Sequence, residues 1–172
     1  MKQGIDIEIN ELVDLFTSKL WTANNNSFYG RVFRNERFED FGSKISPEVY
    51  VSASDPAKEV LKDYSYDAQC FFDVQPNETI ENSDAHEATI WICFMVNLEK
   101  IYSSLTRTEA TEQIQSDVEK LIFDSNFDIT GLIRGFSGFS GYDWGTENSQ
   151  AKIDMNPNYC FRFDTKLIYI NC

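Results

Sequence analysis

The residues whose types could support chemistry are few and widely spaced. His86 is the chain's one histidine and stands in Asp84-Ala85-His86-Glu87, a grouping that could supply a metal ligand or a general base. A zinc site needs three or four spaced nitrogen or sulfur ligands, and the chain has no second histidine to help complete one. We therefore interpret His86 as a solvated side chain in a polar turn.

A second acidic group lies at Asp124-Ser125-Asn126-Phe127-Asp128, which matches the first three ligand positions of a calcium loop. The sixth position of such a loop needs a glycine for its sharp turn, but this chain has Ile129. The twelfth position needs a bidentate glutamate, but this chain has Gly135. The segment is therefore expected to be an acidic turn that terminates a helix.

The chain also matches neither the motif of a nucleophile elbow nor that of a phosphate-binding loop. Gly135-Phe136-Ser137-Gly138 lacks the spacing of a Gly-x-Ser-x-Gly elbow. The glycines of this region are not followed by the Lys-Ser/Thr pair of a phosphate-binding loop. We expect a protein that is not an enzyme, with no catalytic residue, no cofactor and no metal site.

The most informative segment runs from Arg134 to Gly145, where aromatic rings stand on a stretch too rich in glycine for a helix or a strand interior. Such rings expose apolar area unless their own core or another molecule covers them. We favour cover by a neighbouring subunit, with residues 131–158 as a docking arm, over a loop that folds back on its own sheet. The candidate subunit-interface residues are Arg134, Phe136, Phe139, Tyr142 and Trp144, with Arg134 available to pair with a carboxylate across the contact.

Net charge is the second strong feature, because 28 acidic and 15 basic residues give −13 at pH 7. Binding to nucleic acid or to an acidic membrane requires lysine and arginine to displace counter-ions, so the charge disfavours both. An acidic surface that keeps the protein soluble is the simplest interpretation. Two sharper ones are a channel wall along which DNA slides without sticking, and an acidic mimic of DNA.

Length and composition predict a single domain over residues 1–172. The aromatic content of 15% favours sheet. The first residues lack a charged region followed by an apolar run, so we expect no secretory signal, and no apolar stretch approaches the ~20 residues that span a bilayer. The four cysteines form no Cys-x-x-Cys pair, which indicates reduced thiols and a cytosolic setting.

The first half of the chain predicts one helix followed by short strands. Apolar residues from Ile5 to Leu20 recur at about 100° per residue, which predicts an amphipathic helix near residues 6–20. The asparagines at 24–26 then break the chain. The segments that follow are predicted as a strand at Phe28–Phe33, a polar connection at Arg34–Asp40, a strand at Val49–Ser52, a loop or helical turn at Ala57–Lys62, a strand at Asp67–Val74 and turns at Gln75–Asp84.

The second half predicts the central strand, a second helix and a closing strand. Ala88–Leu98 is almost entirely apolar, which is typical of a central strand covered on both faces. Thr106 and Glu109 form a capping box, so a second helix begins there and ends near Phe123. In the closing strand Tyr159–Ile170, alternate residues from Tyr159 to Tyr169 face the core, and the other face, with Arg162, Asp164 and Lys166, is wet or an interface. The predicted fold is therefore α+β, with two helices packed on a mainly antiparallel sheet and a long loop before the last strand.

This order of elements in a small acidic chain resembles the tail-terminator and neck proteins of tailed bacteriophages. The resemblance covers nearly the whole chain. It implies a structural virion protein, made in the host cytoplasm, that forms a ring with copies of itself at the head–tail junction. It further implies stacking on other neck or tail proteins around a channel through which DNA passes without being bound specifically. Two other classes stay open: a monomeric acidic interaction module or inhibitor, and an enzyme of unfamiliar type with carboxylates in a deep pocket.

Overall fold

Helices and strands form an α+β fold, as the sequence predicts. The structure is a computed structural model that describes residues 4–39, 42–49, 58–60, 65–80, 85–142 and 154–170. In chain order the elements are α1 (Ile5–Lys19), β1 (Asn26–Arg31), β2 (Phe33–Glu39), β3 (Gly42–Val49), β4 (Lys58–Glu59), β5 (Ala68–Ile80), β6 (Ala85–Asn97), α2 (Leu98–Ile101), α3 (Arg107–Phe123), β7 (Phe127–Arg134), a 3-10 helix (Phe136–Phe139) and β8 (Asn158–Ile170).

The main sheet has five strands in the order β1-β5-β6-β8-β7. Strand β1 runs parallel to β5, and every other neighbouring pair is antiparallel. The almost entirely apolar strand β6 lies at the centre, and its alternate residues enter two different hydrophobic cores. The prediction of a central strand covered on both faces is therefore confirmed.

Helices α1 and α3 cover the first face of this sheet, which we call the helix face. The first helix buries one stripe, Ile5, Ile9, Leu12 and Phe16, as its periodicity predicts. Gly30 of β1 lets this helix approach closely, since a Cβ there would lie 3.3 Å from the Asn10 side chain. The second predicted helix is α3, and its capping box between Thr106 and Glu109 is present in full.

A smaller sheet, in the order β2-β3-β4, and the 3-10 helix lie over the second face. The core beneath them contains Val32, Val49, Val60, Phe71, Cys93, Met95, Phe139, Tyr142 and Cys160. The main sheet is therefore the middle layer of a three-layer arrangement. The second face of the main sheet is therefore buried along much of the length of its strands.

Several predicted connections are strands in the structure. The polar segment Arg34–Asp40 belongs to β2 as far as Glu39, because its backbone pairs with β3 in an antiparallel hairpin. Residues 50–52 of the predicted strand Val49–Ser52 lie outside the described residues, and Val49 ends β3. Lys58–Glu59 is β4, which corrects the expected loop or helical turn there. Polar composition misled these predictions, since hairpin pairing satisfies the backbone whatever the side chains are.

The long β5–β6 hairpin also corrects two predictions. Gln75–Ile80, expected to be turns, continues β5, and His86 lies in β6 instead of a polar turn. The His86 ring stacks on Tyr169, with 5.6 Å between ring centroids. Cross-strand pairing of Glu78, Thr79 and Ile80 with β6 extends the hairpin beyond the apolar part of the sequence.

The loop predicted at residues 131–158 starts inside a strand that the sequence did not reveal. Strand β7, Phe127–Arg134, pairs with β8 along its whole length, apart from a register shift between Ile129 and Gly131. The shift interrupts the alternation of apolar and polar residues, which is why the pattern was hidden. Asp124–Asn126 forms the turn between α3 and β7, so the expected helix-terminating turn is confirmed.

Candidate assembly surface

The predicted interface residues divide between core and surface. Phe139 is fully buried and Tyr142 is 4% exposed. Phe136 is partly buried and packs against the same second-face core. Trp144 lies outside the described residues. The expectation that this loop offers free rings to a neighbouring subunit is therefore wrong for Phe139 and Tyr142, whose cover comes from their own chain.

Two glycines explain why the loop folds back. Gly135 has a φ of 70°, and a Cβ built on it would lie 2.9 Å from the Asp154 carboxylate. At Gly138 a Cβ would lie 3.3 Å from the Cβ of Arg162, and the Gly138 carbonyl accepts a 2.9 Å hydrogen bond from that arginine. Glycine here permits close contact with the sheet, whereas the sequence analysis interpreted it as freedom to reach outward.

A buried polar network anchors the loop to β5. The Tyr142 hydroxyl donates to Asp73 at 2.6 Å, and the Nε of Arg34 donates to the same carboxylate at 2.7 Å. The Asp73 side chain is 1% exposed, so its charge is held by this cation and this hydroxyl. Burial, together with the nearby Cys93 and Asp73, raises the pKa of Tyr142 far above its usual value. The network stabilises the packed loop against β5.

The predicted polar face of β8 is covered at Arg162 and half-buried at Asp164, whereas Lys166 is exposed. The Arg162 guanidinium lies 3.7 Å from the centroid of the Trp91 ring and pairs with Asp164 at 2.7 Å. Arg134 is exposed, but its Nε donates to Gln115 of its own α3 at 3.2 Å. The expected pairing of Arg134 across a subunit contact therefore stays a prediction, with one nitrogen already bound within the chain.

Exposed apolar side chains concentrate instead at one end of the main sheet. Ile80 is 68% exposed, Ile168 is 60% exposed and Ile170 is 37% exposed. The pairings of Ile80 with His86 and of Ala85 with Ile170 place all three within the last rungs of β5, β6 and β8. We call these three residues the isoleucine end. Ile80 lies on the helix face and the other two lie on the second face, because paired residues share a face.

Cross-strand contacts brace the isoleucine end. The Tyr169 hydroxyl donates to Glu78 at 2.9 Å, and Lys166 pairs with Glu87 at 2.7 Å. The Gly4 amide donates to the Ile170 carbonyl at 2.9 Å, which ties the start of α1 to the last strand. Burial and the bond to Glu78 raise the pKa of Tyr169 to about 12. The isoleucines are therefore exposed on a hydrogen-bonded framework.

A cleft with a volume of about 470 Å³ lies between the end of α1, α2 and α3. The indole Nε1 of Trp21 donates to Asp117 at 3.1 Å, and the Tyr102 hydroxyl donates to the same oxygen. Gln113 donates to the other Asp117 oxygen at 2.8 Å. Desolvation and the bond to Asp117 raise the pKa of Tyr102 to about 12. We call this the indole cleft; its apolar lining is Leu20, Trp21, Ile101, Tyr102 and Leu121, and Lys19 and Lys120 also line it.

The backbone at Trp21 is unusual. Its φ of 48° lies in the left-handed region, just after the C-cap Leu20 of α1, where glycine is the common residue. The ring forms an edge contact with Phe94 in the core at 6.4 Å between centroids. The backbone of Trp21 is therefore in a conformation that residues with large side chains rarely adopt. Such strained positions are often functional.

Two chemical possibilities for the described part of the chain are a metal site and a reactive thiol. Among its residues, no group of three or more His, Cys, Asp and Glu side chains is placed to hold a metal ion. Cys70, Cys93 and Cys160 are buried, and burial raises the pKa of each thiol, which opposes formation of a reactive thiolate. None of the helices described has the length and apolar character needed to cross a lipid bilayer.

The sequence contained one signal for the isoleucine end. Ile168 and Ile170 alternate with Leu167 and Tyr169, so the outward face of β8 becomes apolar just where the strand ends. Ile80 gave no such signal, because it lies in a segment that the sequence analysis interpreted as turns. Comparison of the chain with models of known protein families and with curated protein sequences finds no match.

Proposed function

We propose that this chain is a structural subunit that associates with copies of itself into a ring. In its specific form the proposal is a ring at the head–tail junction of a tailed bacteriophage, as a tail terminator or a neck connector around the DNA channel. The expected partners are further copies of the chain and the neighbouring neck or tail proteins. The chain has no catalytic part in this role.

The isoleucine end is the observation that carries the proposal. Burying one large aliphatic side chain stabilises a complex by about 1.5–3 kcal/mol. Ile168 and Ile170 project side by side from the second face and Ile80 projects from the helix face, and neighbouring exposed apolar residues mark interaction sites more often than isolated ones do. Ile80, Ile168 and Ile170 therefore support a contact with another protein surface.

The charge supports the same role. Each subunit adds −13 to an assembly, so repulsion between subunits opposes ring formation at low ionic strength. An acidic channel wall would let duplex DNA pass without adhering, since adhesion depends on lysine and arginine contacts to phosphate. We therefore expect assembly to strengthen as monovalent salt rises from low to physiological concentration.

Light scattering after size-exclusion chromatography tests the proposal with a double variant, Ile80→Ser with Ile168→Ser. The matched control is Phe123→Ser, which removes a side chain that is 65% exposed at the end of α3. We expect the unmodified chain and the control to elute as one oligomer and the double variant to elute as a monomer. Negative-stain images of the oligomer should show rings with a central opening.

Two outcomes would overturn the proposal. The first is an unmodified chain that stays monomeric across the range of salt and protein concentrations. The second is an oligomer that the double variant forms equally well. A monomer that competes with DNA for a DNA-binding protein would instead favour the acidic mimic.

A further inference from the structure

The isoleucine end and the indole cleft lie at opposite ends of the main sheet. The isoleucines lie where Ile80 pairs with His86, whereas β1 begins, just after Trp21, where Asn26 pairs with Ala68. Strand β5 has 13 residues between these ends, a length of about 40 Å. Helix α1 connects them, from the Gly4–Ile170 hydrogen bond to Lys19 in the lining of the cleft.

We propose that the isoleucine end of one copy inserts into the indole cleft of the next copy. The inference depends on the proposed self-association and names both surfaces of the contact. A contact between two different surfaces is heterologous, and it closes into a ring when the rotation between subunits returns to the start. Two complementary surfaces at opposite ends of one chain provide the head-to-tail arrangement that such a ring requires.

The apolar parts of the two surfaces match. Ile80 and Ile168 are the most exposed residues of their end, and the cleft offers the rings of Trp21 and Tyr102 beside Ile101 and Leu121. The cleft volume of about 470 Å³ lies within the roughly 300–1,000 Å³ of typical binding pockets. Ile80 entering between the two half-buried rings from the helix face would bury apolar area on both partners, while Ile168 and Ile170, which project from the other face of the sheet, would lie outside the cleft.

The charged parts match as well. Lys19 and Lys120 are exposed in the cleft lining of a chain that has only 15 basic residues. At the isoleucine end Glu78 is exposed on the same face as Ile80, whereas Lys166 lies on the second face and pairs with Glu87 at 2.7 Å. A lysine-bearing receptor for an acidic, isoleucine-bearing end lowers the repulsion that the net charge would otherwise impose on this contact.

The conformation of Trp21 fits a receptor role. Three donors, from Trp21, Tyr102 and Gln113, already bind the two Asp117 oxygens, so this carboxylate fixes the two rings. The left-handed φ of Trp21 disfavours a large side chain, and glycine at that position would end α1 with less strain. Within the chain, the hydrogen bond to Asp117 and the ring contact with Phe94 offset this cost, and the contact we propose covers the part of the indole that lines the cleft.

Mixing two assembly-deficient variants tests the inference. The end variant is Ile80→Ser with Ile168→Ser, and the cleft variant is Ala23→Trp, which fills the cleft from an exposed position in its lining. We expect each variant alone to be monomeric and a 1:1 mixture to form a dimer of one copy of each. In that dimer the intact end of the cleft variant occupies the intact cleft of the end variant.

A second cleft variant shows whether a loss of assembly in the first one is caused by misfolding. Lys19→Glu with Lys120→Glu changes only exposed side chains. We expect it to weaken self-association at least tenfold at physiological salt while the thermal midpoint stays unchanged. The control Lys100→Glu reverses an exposed charge on α2 that lies outside both proposed surfaces, so it should self-associate like the unmodified chain.

The outcomes separate this inference from the proposed function. If both cleft variants assemble like the unmodified chain while the end variant does not, the cleft is not the receptor, although self-association through the isoleucines stands. If the end variant assembles normally, both the inference and the proposed function are wrong. A mixture that remains monomeric, with both variants folded, also overturns the inference.

Discussion

The Tyr142 hydroxyl donates a 2.6 Å hydrogen bond to the carboxylate of Asp73, a residue 69 positions earlier in the chain. Asp73 lies on the central part of the sheet and also accepts from Arg34 at the start of the small sheet. One buried carboxylate therefore joins the main sheet, the small sheet and the Gly-rich loop. This contact explains why the loop is a covering layer of its own subunit.

Removing the hydroxyl should destabilise the fold. Tyr142→Phe leaves Asp73 with Arg34 as its remaining described partner, and a lost hydrogen bond to a buried charge costs about 1.5–3 kcal/mol. Urea denaturation of the variant and the unmodified chain measures the difference. Tyr169→Phe is the matched control, because its partner Glu78 is exposed, and we expect it to cost less. Equal costs for the two variants would argue against a buried network.

Phe139 should behave as a core residue. Phe139→Ala empties a site that is 0% exposed, and such substitutions cost about 3–5 kcal/mol. Phe123→Ala removes a ring that is 65% exposed, and we expect a change within about 0.5 kcal/mol. Thermal unfolding at low protein concentration makes the comparison without a contribution from assembly. A change within about 0.5 kcal/mol for Phe139→Ala would restore the docking-arm interpretation.

The second helix was predictable because its signals are local. The capping box needs only Thr106 and Glu109 three residues apart, and the buried stripe of α3 follows the helical period. The first helix and the central strand were predictable for the same reason, since each carries its pattern in consecutive residues. These elements give the α+β class and one face of the core.

The second layer could not be predicted from local patterns. Strand β2 is polar in sequence and forms by pairing with β3, while β7 carries a register shift that hides its alternation. Gly135 and Gly138 are compatible both with a loop that extends away from the subunit and with a loop that packs closely on the sheet. The loop packs closely because Asp154 and Arg162 lie next to these glycines, and sequence alone does not place them there. The isoleucine end and the indole cleft each combine residues from distant segments, so no single stretch of sequence reveals them.

Acid should weaken the cap of α3. Hydrogen bonds from the Thr106 side chain and backbone lower the pKa of Glu109 below its ordinary value. A carboxylate with a depressed pKa contributes stability above its unfolded pKa of about 4.3, and this contribution disappears as pH falls through the folded value. Urea midpoints for the unmodified chain and Glu109→Gln between pH 6 and pH 3 (roughly the window set by these pKa values) should therefore converge as pH falls. Parallel midpoints across this range would contradict the cap.

Alkali should weaken the indole cleft. The pKa of Tyr102 is raised to about 12, so the folded state favours the neutral hydroxyl that donates to Asp117. A raised pKa contributes stability that is complete below the unfolded value of about 10 and is lost as pH rises through the folded value. The loss of stability between these pKa values should be smaller for Tyr102→Phe than for the unmodified chain, as urea midpoints measure. The same loss in both would mean that Tyr102 ionises freely.

Native mass spectrometry of the unmodified chain tests the central claim most directly. With the protein at tens of micromolar and the salt near physiological strength, the account predicts one dominant species larger than a dimer, as expected for a closed ring of fixed stoichiometry. An unmodified chain that remains a monomer under these conditions would contradict the account.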